Sequence, residues 1–120
     1  MRLPNIRLEL ARSPGVPEGD PRHGYEFKAP LDGSGHIDAA SWRRNKAFCT
    51  VRHFTPDGDD EWGHLVHGGG HSWRFHYDIG PASDDESGYR FDQHVFKPGE
   101  YVSIKEHDGV TRTFKVVAVD

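Results

Sequence analysis

The segment GHLVHGGGHSWRFHYD, from Gly63 to Asp78, decides the fold because two strand-like runs flank three consecutive glycines. From Trp73 to Tyr77, aromatic rings alternate with polar residues, and this period of two is typical of a half-buried strand. Glycine adopts the positive φ angles of tight hairpin turns without steric cost. The segment therefore predicts a β-hairpin.

The register of this hairpin decides which of its histidines can meet. If Gly68–Gly70 form the loop, His67 faces His71, and directly opposed residues have Cβ atoms about 5 Å apart. If Gly69 and Gly70 form a two-residue turn, Gly68 pairs with His71 instead. This second register collects Trp62, His64, Val66, His71, Trp73, Phe75 and Tyr77 on one face, and Gly63, Leu65, His67, Ser72, Arg74, His76 and Asp78 on the other. Because it directs the rings to one side, we expect the two-residue turn.

The C-terminal segment predicts a second hairpin. Strand-like runs at 100–106 and 110–119 flank His107-Asp-Gly109. A three-residue loop with Gly109 in the left-handed region would place Val102 opposite Phe114.

The rest of the chain reads as short strands separated by turns. Strand patterns occur at 6–10, 25–29, 46–54 and 89–96, and long loops are expected at 13–24 and 80–88. The segment Asp38–Asn45 is helix-like, with Asp38 as a candidate N-cap. Fourteen glycines and eight prolines in 120 residues also suit many turns. We expect one all-β domain over residues 1–120: a small antiparallel, partly open barrel or sandwich of about seven short strands with at most one short helix.

Composition excludes several functional classes. The single cysteine, Cys49, cannot form an internal disulfide, and no apolar run approaches the roughly 18–20 residues that cross a bilayer. We therefore expect a cytoplasmic protein without membrane contact. The net charge is −4 with histidine neutral, and the basic residues are scattered, which argues against sequence-independent binding to nucleic acid.

The histidines offer a possible divalent metal site, although a hairpin with incidental histidines explains the same pattern. Neutral imidazole is a common zinc ligand. The candidate ligands are His64, His67, His71, His76 and His94.

The leading functional interpretation is a small non-enzymatic binding module for an unknown protein partner or small ligand, with no required cofactor. Its candidate binding residues are Trp73, Arg74 and His76, and no residue set matches a catalytic arrangement. The first alternative is a histidine-rich metal-binding protein or metal-dependent enzyme. The second is a single-stranded nucleic-acid binder that stacks bases on Trp73, Phe75 and Tyr77.

Overall fold

A computed structural model of the chain describes residues 3–69 and 72–120. Within these two ranges, eight antiparallel strands form a closed barrel in which neighbours in sequence are neighbours in space, and β8 pairs with β1. The strands are β1 (Asn5–Leu10), β2 (Asp20–Lys28), β3 (Thr50–Phe54), β4 (Glu61–His67), β5 (Trp73–Tyr77), β6 (Glu86–Tyr89), β7 (Tyr101–Lys105) and β8 (Thr111–Val119). The all-β prediction is confirmed; the described residues form eight strands in place of about seven, and the barrel is closed rather than partly open.

Aromatic side chains occupy the centre of the barrel. The largest fully buried rings are Tyr25, Phe27, Phe75, Phe91, Phe96 and Phe114. Phe27 and Phe75 lie 5.2 Å apart between ring centroids, and Tyr25 meets Phe114 edge to face at 5.1 Å. Offset and edge-to-face contacts at these separations are favourable for aromatic pairs. The barrel centre is thus filled by side chains.

The predicted helix is present as α1 (Ala39–Arg44). The Asp38 carboxylate accepts hydrogen bonds from the backbone N–H groups of Ala40 and Ser41, as an N-cap should. A helix of two turns is unstable alone, so its packing matters. Trp42 supplies that packing: its side chain is buried, and its indole Nε1 donates to the Leu65 carbonyl at 3.0 Å.

The C-terminal hairpin is also confirmed. Val102 pairs with Phe114, and Gly109 has a φ of 83° in the connection between β7 and β8. No helix among the described residues is long and apolar enough to cross a membrane.

The predicted register of the β4–β5 hairpin is wrong. His67 pairs with Trp73, and the Gly68 N–H donates to the Ser72 carbonyl at 2.8 Å. This pairing differs by one residue from the expected pairing of Gly68 with His71. The inward and outward faces of β4 are therefore exchanged: Leu65 is buried, whereas Trp62 is 59% exposed. Side-chain direction alternates along a strand, so a shift of one residue exchanges the two faces.

The segment 89–96 does not form the single strand that its pattern predicts. Strand β6 ends at Tyr89, and Arg90 adopts a φ of 52°. The chain then turns, which lets both Phe91 and Phe96 enter the core despite their opposite parity in sequence. The expected long loop at 13–24 is shorter, since β2 already begins at Asp20.

Candidate functional site

A group of ionisable and hydroxyl side chains lies at the upper end of the barrel, which we define as the end formed by the β1–β2, β3–β4, β5–β6 and β7–β8 connections. We call this group the acid–imidazole cluster. Its members are His23, Tyr25, His53, Glu61, Tyr77, Glu86, Glu106, His107 and Arg112.

Neighbouring strands direct these side chains inward. His23 and Tyr25 are two residues apart on β2 and so share a face. His53 on β3 pairs with Tyr25, and the two rings stack at 4.2 Å between centroids. Glu86 begins β6, and Glu106 directly follows β7. The strand ends therefore bring two carboxylates to the histidine rings.

His53 is at the centre of the cluster and is 3% exposed. Its Nδ1 lies 3.1 Å from Glu86 Oε1, and its Nε2 lies 3.1 Å from Glu106 Oε2. Despite these short distances, neither ring nitrogen has a hydrogen-bond partner of acceptable geometry among the described residues. Buried polar atoms are nearly always satisfied, so a small shift of the ring, or an ion bound to one of its nitrogens, is needed to satisfy His53.

Glu86 is fully buried and tied to three elements. Its Oε1 accepts a hydrogen bond from the Tyr77 hydroxyl and lies 3.1 Å from the Tyr25 hydroxyl oxygen, and its Oε2 accepts from the His107 backbone N–H at 3.0 Å. Burial alone would raise the pKa of Glu86, but the adjacent His53 ring and these donors more than offset burial and lower it. The side chain is thus held as a carboxylate.

Glu106 is held in the same form. Its Oε2 accepts from the Tyr25 hydroxyl at 2.5 Å and lies 3.1 Å from His23 Nε2, while Oε1 accepts from Arg112 Nη1 at 2.7 Å. Although burial raises the pKa of Glu106, contacts with His23, His53 and Tyr25 lower it far below its usual value. Two buried carboxylates with one guanidinium leave a net negative charge that favours a cation at their centre.

The two buried carboxylates also favour the protonated form of His53. Burial opposes protonation of the ring, but Glu106 and Glu86 outweigh it and raise the pKa of His53 to about 9. A proton on His53 is one way to supply positive charge between the carboxylates. A metal ion is another, because it takes the place of the proton on a ring nitrogen.

Three members of the cluster have the geometry of a metal centre. His23, His53 and Glu106 each offer a ligand atom, and these atoms lie within 4.8 Å of one another. The Nε2 atoms of both histidines are 3.1 Å from Glu106 Oε2. Tetrahedral zinc with bonds of about 2.0–2.2 Å separates its ligand atoms by roughly 3.3–3.6 Å. Small side-chain shifts would therefore suffice to close the three ligands around one ion.

A cleft of about 320 Å³ opens beside the cluster at Glu61 and Tyr77. Trp62 and Ile79 form its apolar walls, and both are largely exposed. This volume lies at the lower limit of small-molecule sites.

Four of the five predicted metal ligands are among the described residues and lie outside the acid–imidazole cluster. His64 and His76 face each other across β4 and β5, both partly exposed. His67 stacks on Trp73 at 4.1 Å, and His94 lies in the connection between β6 and β7. His71 lies outside the described residues.

The predicted binding residues are divided between the two sides of the barrel wall. Trp73 is buried in the core, 3% exposed. Arg74 and His76 both contact the Asp85 carboxylate, at 2.9 Å and 2.6 Å. Phe75 and Tyr77 are buried with Trp73, so these three rings present no open face to a nucleic-acid base.

Sequence reasoning missed His23, His53 and Glu106 as a group. His23 fell in a segment assigned to a loop, and Glu106 ended a strand. A usable signal was parity: His53 shares a face with the buried Val51, and Glu106 with the buried Val102 and Ile104. A polar residue on the apolar face of a strand marks an interior position that needs a partner.

Comparison with protein families, curated proteins and solved structures gives no significant match to this chain. Fold and site therefore define only a class: a small closed antiparallel barrel with a buried carboxylate–imidazole cluster at one end.

Proposed function

We propose that this chain is a small metal-binding β-barrel protein that holds one divalent ion on His23, His53 and Glu106. The observation that carries the proposal is the buried His53 ring, whose nitrogens lie beside carboxylate oxygens without an acceptable hydrogen bond among the described residues. An ion coordinated by Nε2 would satisfy this nitrogen and neutralise Glu106.

Zinc fits the donor set best. Two imidazole nitrogens and one carboxylate oxygen are a common zinc environment, whereas calcium and magnesium prefer oxygen ligands alone. Three protein ligands also leave a fourth position for water or a small ligand.

The surrounding contacts support the same assignment. Histidines that bind metals usually direct their second nitrogen to a carboxylate, which fixes the ring and raises its basicity. Glu86 Oε1 lies 3.1 Å from His53 Nδ1, so a small rotation of the ring would bring the two atoms into hydrogen-bond geometry for this role. Arg112 holds the other oxygen of Glu106, and Oε2 lies beside the two histidines while it accepts a hydrogen bond from the Tyr25 hydroxyl.

Metal content tests the proposal directly. Tag-free protein, purified without a nickel column and equilibrated with zinc, should retain one zinc per chain after gel filtration. His23→Gln and Glu106→Gln should each lose most of it, because two ligands remain in place of three. His36→Gln and Glu100→Gln are the matched controls, since His36 is partly exposed, Glu100 is exposed, and both lie outside the cluster.

Circular dichroism should show that all four variants stay folded. Failure of the unmodified protein to retain zinc would overturn the proposal. So would full retention by both His23→Gln and Glu106→Gln.

A further inference from the structure

The register of the β4–β5 hairpin creates a second histidine arrangement on the outside of the barrel. His64 on β4 pairs directly with His76 on β5. Directly opposed residues of an antiparallel pair have Cβ atoms about 4.5–5.5 Å apart, and their side chains leave the sheet on the same face. Both rings are accessible, with side chains 41% and 44% exposed.

Each of these rings has its own aspartate at Nδ1. His76 Nδ1 lies 2.6 Å from Asp85 Oδ1, and His64 Nδ1 lies 3.4 Å from Asp78 Oδ1. A carboxylate at Nδ1 favours the tautomer in which Nδ1 carries the proton, so Nε2 keeps its lone pair. This is the orientation that second-sphere carboxylates impose on metal-binding histidines.

The charges around the pair also favour a cation. Arg74 is the nearest positive side chain on the same face of β5, and its Nε contacts Asp85 Oδ2 at 2.9 Å. Asp85 therefore balances Arg74, and Asp78 adds a further negative charge next to His64. The local charge with neutral rings is −1.

We propose that His64 and His76 form an exposed site for an imidazole-preferring ion such as Cu²⁺, Ni²⁺ or Zn²⁺. The two Nε2 atoms bind the ion and water completes its coordination, while Asp78 and Asp85 act as positioning residues. Among these ions Cu²⁺ should bind most tightly, following the usual order for nitrogen ligands. This site uses none of the ligands of the buried site, so it does not rest on the proposed function.

Copper binding at constant pH tests the pair. Because the buried site also contains two imidazoles, the measurement uses the His23→Gln background, in which one Cu²⁺ ion should show nitrogen hyperfine structure from two imidazoles in electron paramagnetic resonance. His64→Gln and His76→Gln should each weaken its binding by more than ~10-fold, because one of two ligands is lost. Glutamine keeps a polar side chain on the outer face, so both variants should fold. His36→Gln, which removes another partly exposed histidine, should bind like the protein without this substitution.

Residue-specific NMR separates this site from the buried one. With ¹⁵N-labelled histidine, substoichiometric Cu²⁺ should broaden the ring signals of His64 and His76 before those of His36. If copper binds only to His23 or His53, or if the two variants bind copper as tightly as the unmodified protein, the exposed site is refuted. Loss of copper binding in His23→Gln alone would assign the ion to the buried site and overturn this inference while leaving the proposed function intact.

The aspartates have their own test. Asp85→Asn should weaken copper binding by ~10-fold or more and should change the ring ¹⁵N shifts of His76 toward a mixture of tautomers. Asp59→Asn, an exposed substitution in the β3–β4 connection, is the control. Unchanged affinity together with unchanged ring shifts in Asp85→Asn would remove the positioning role.

Discussion

Gly63 of β4 lies opposite Tyr77 of β5 at a point where the two backbones leave no room for a side chain. A Cβ on Gly63 would meet the His76 carbonyl oxygen at 2.0 Å and Tyr77 Cα at 2.7 Å. Both atoms belong to backbone, so neither can move aside cheaply.

Gly63→Ala should therefore destabilise the barrel by about 1–3 kcal/mol, the usual range for overpacking, with a larger loss if the strands separate. Urea unfolding followed by circular dichroism measures the change. Gly33→Ala is the matched control, since a Cβ at that position meets nothing within 4 Å. Equal stability of the two variants would contradict the close approach seen at Gly63.

Docking of α1 depends on Trp42. Trp42→Ala should cost about 3–5 kcal/mol of unfolding free energy, in line with other large-to-small core substitutions. Trp42→Phe keeps most of the ring but removes the donor to the Leu65 carbonyl, so about 1–3 kcal/mol should be lost. Trp62→Phe, at an exposed position, should change stability by less than ~0.5 kcal/mol. A Trp62 substitution as costly as either Trp42 substitution would argue against this packing.

Glu26 should make the stability of the protein depend on acid pH. Its carboxylate contacts Arg7, Arg52 and Asn5. Burial would raise the pKa of Glu26, but Arg52 and the other donors offset it and lower the pKa below 4.5. Because the folded pKa lies below the unfolded one, this contribution is present above pH 4.5 and is lost as pH falls below it.

Glu26→Gln should accordingly lose about 1 kcal/mol near neutral pH. The difference from the unmodified protein should shrink as the pH falls, which urea unfolding at several pH values measures. Glu100→Gln should show neither effect, because its contact with Lys97 is long and exposed. If the difference in unfolding free energy between Glu26→Gln and the unmodified protein stayed constant down to acid pH, the Glu26 carboxylate would not be the source of the stabilisation.

The Cys49 thiol should be unreactive in the folded protein. It is fully buried, and burial raises the pKa of Cys49 to about 11. Since the thiolate is the reactive form, a rise from 9.0 to about 11 lowers its population roughly 100-fold at mildly alkaline pH. Iodoacetamide should therefore label the native protein at least that much more slowly than the protein in urea, as measured by mass spectrometry. Similar rates in both states would mean that the thiol is accessible.

Removal of zinc should lower thermal stability through the buried site. A ligand that binds only the folded state adds stability that grows with the logarithm of its concentration over its dissociation constant. A chelator should thus reduce the melting temperature of the unmodified protein but leave that of Glu106→Gln nearly unchanged. Equal chelator effects on both proteins would show that the stabilising ion binds elsewhere.

Local signals in the sequence predicted the local parts of the fold. The Asp38 cap and the Gly109 loop each depend on a few adjacent residues, and both elements form as predicted. The β4–β5 register could not be obtained this way, because Trp62 and Leu65 offer apolar side chains to opposite faces of the same strand. Only packing of the closed barrel selects Leu65 for the interior.

The candidate metal centre was hidden for a related reason. His23 and Glu106 are 83 residues apart in the chain and meet only because the first and last strands of the barrel are neighbours. The sequence prediction instead grouped the histidines of the segment 63–78, which are close together in the chain. The alternation of side chains along a strand identifies single polar residues that face inward. Which of these residues meet can be predicted only once the order of the strands in the barrel is known.

Closure of the barrel restricts how another protein chain can be recognised. Within the described residues, each of the eight strands has a hydrogen-bonded neighbour on both sides, including β1 and β8. An extended peptide binds by β-augmentation only where a sheet offers unpaired N–H and C=O groups along an edge. Along the stretches that are paired on both sides, a partner chain therefore meets outward side chains rather than open backbone groups.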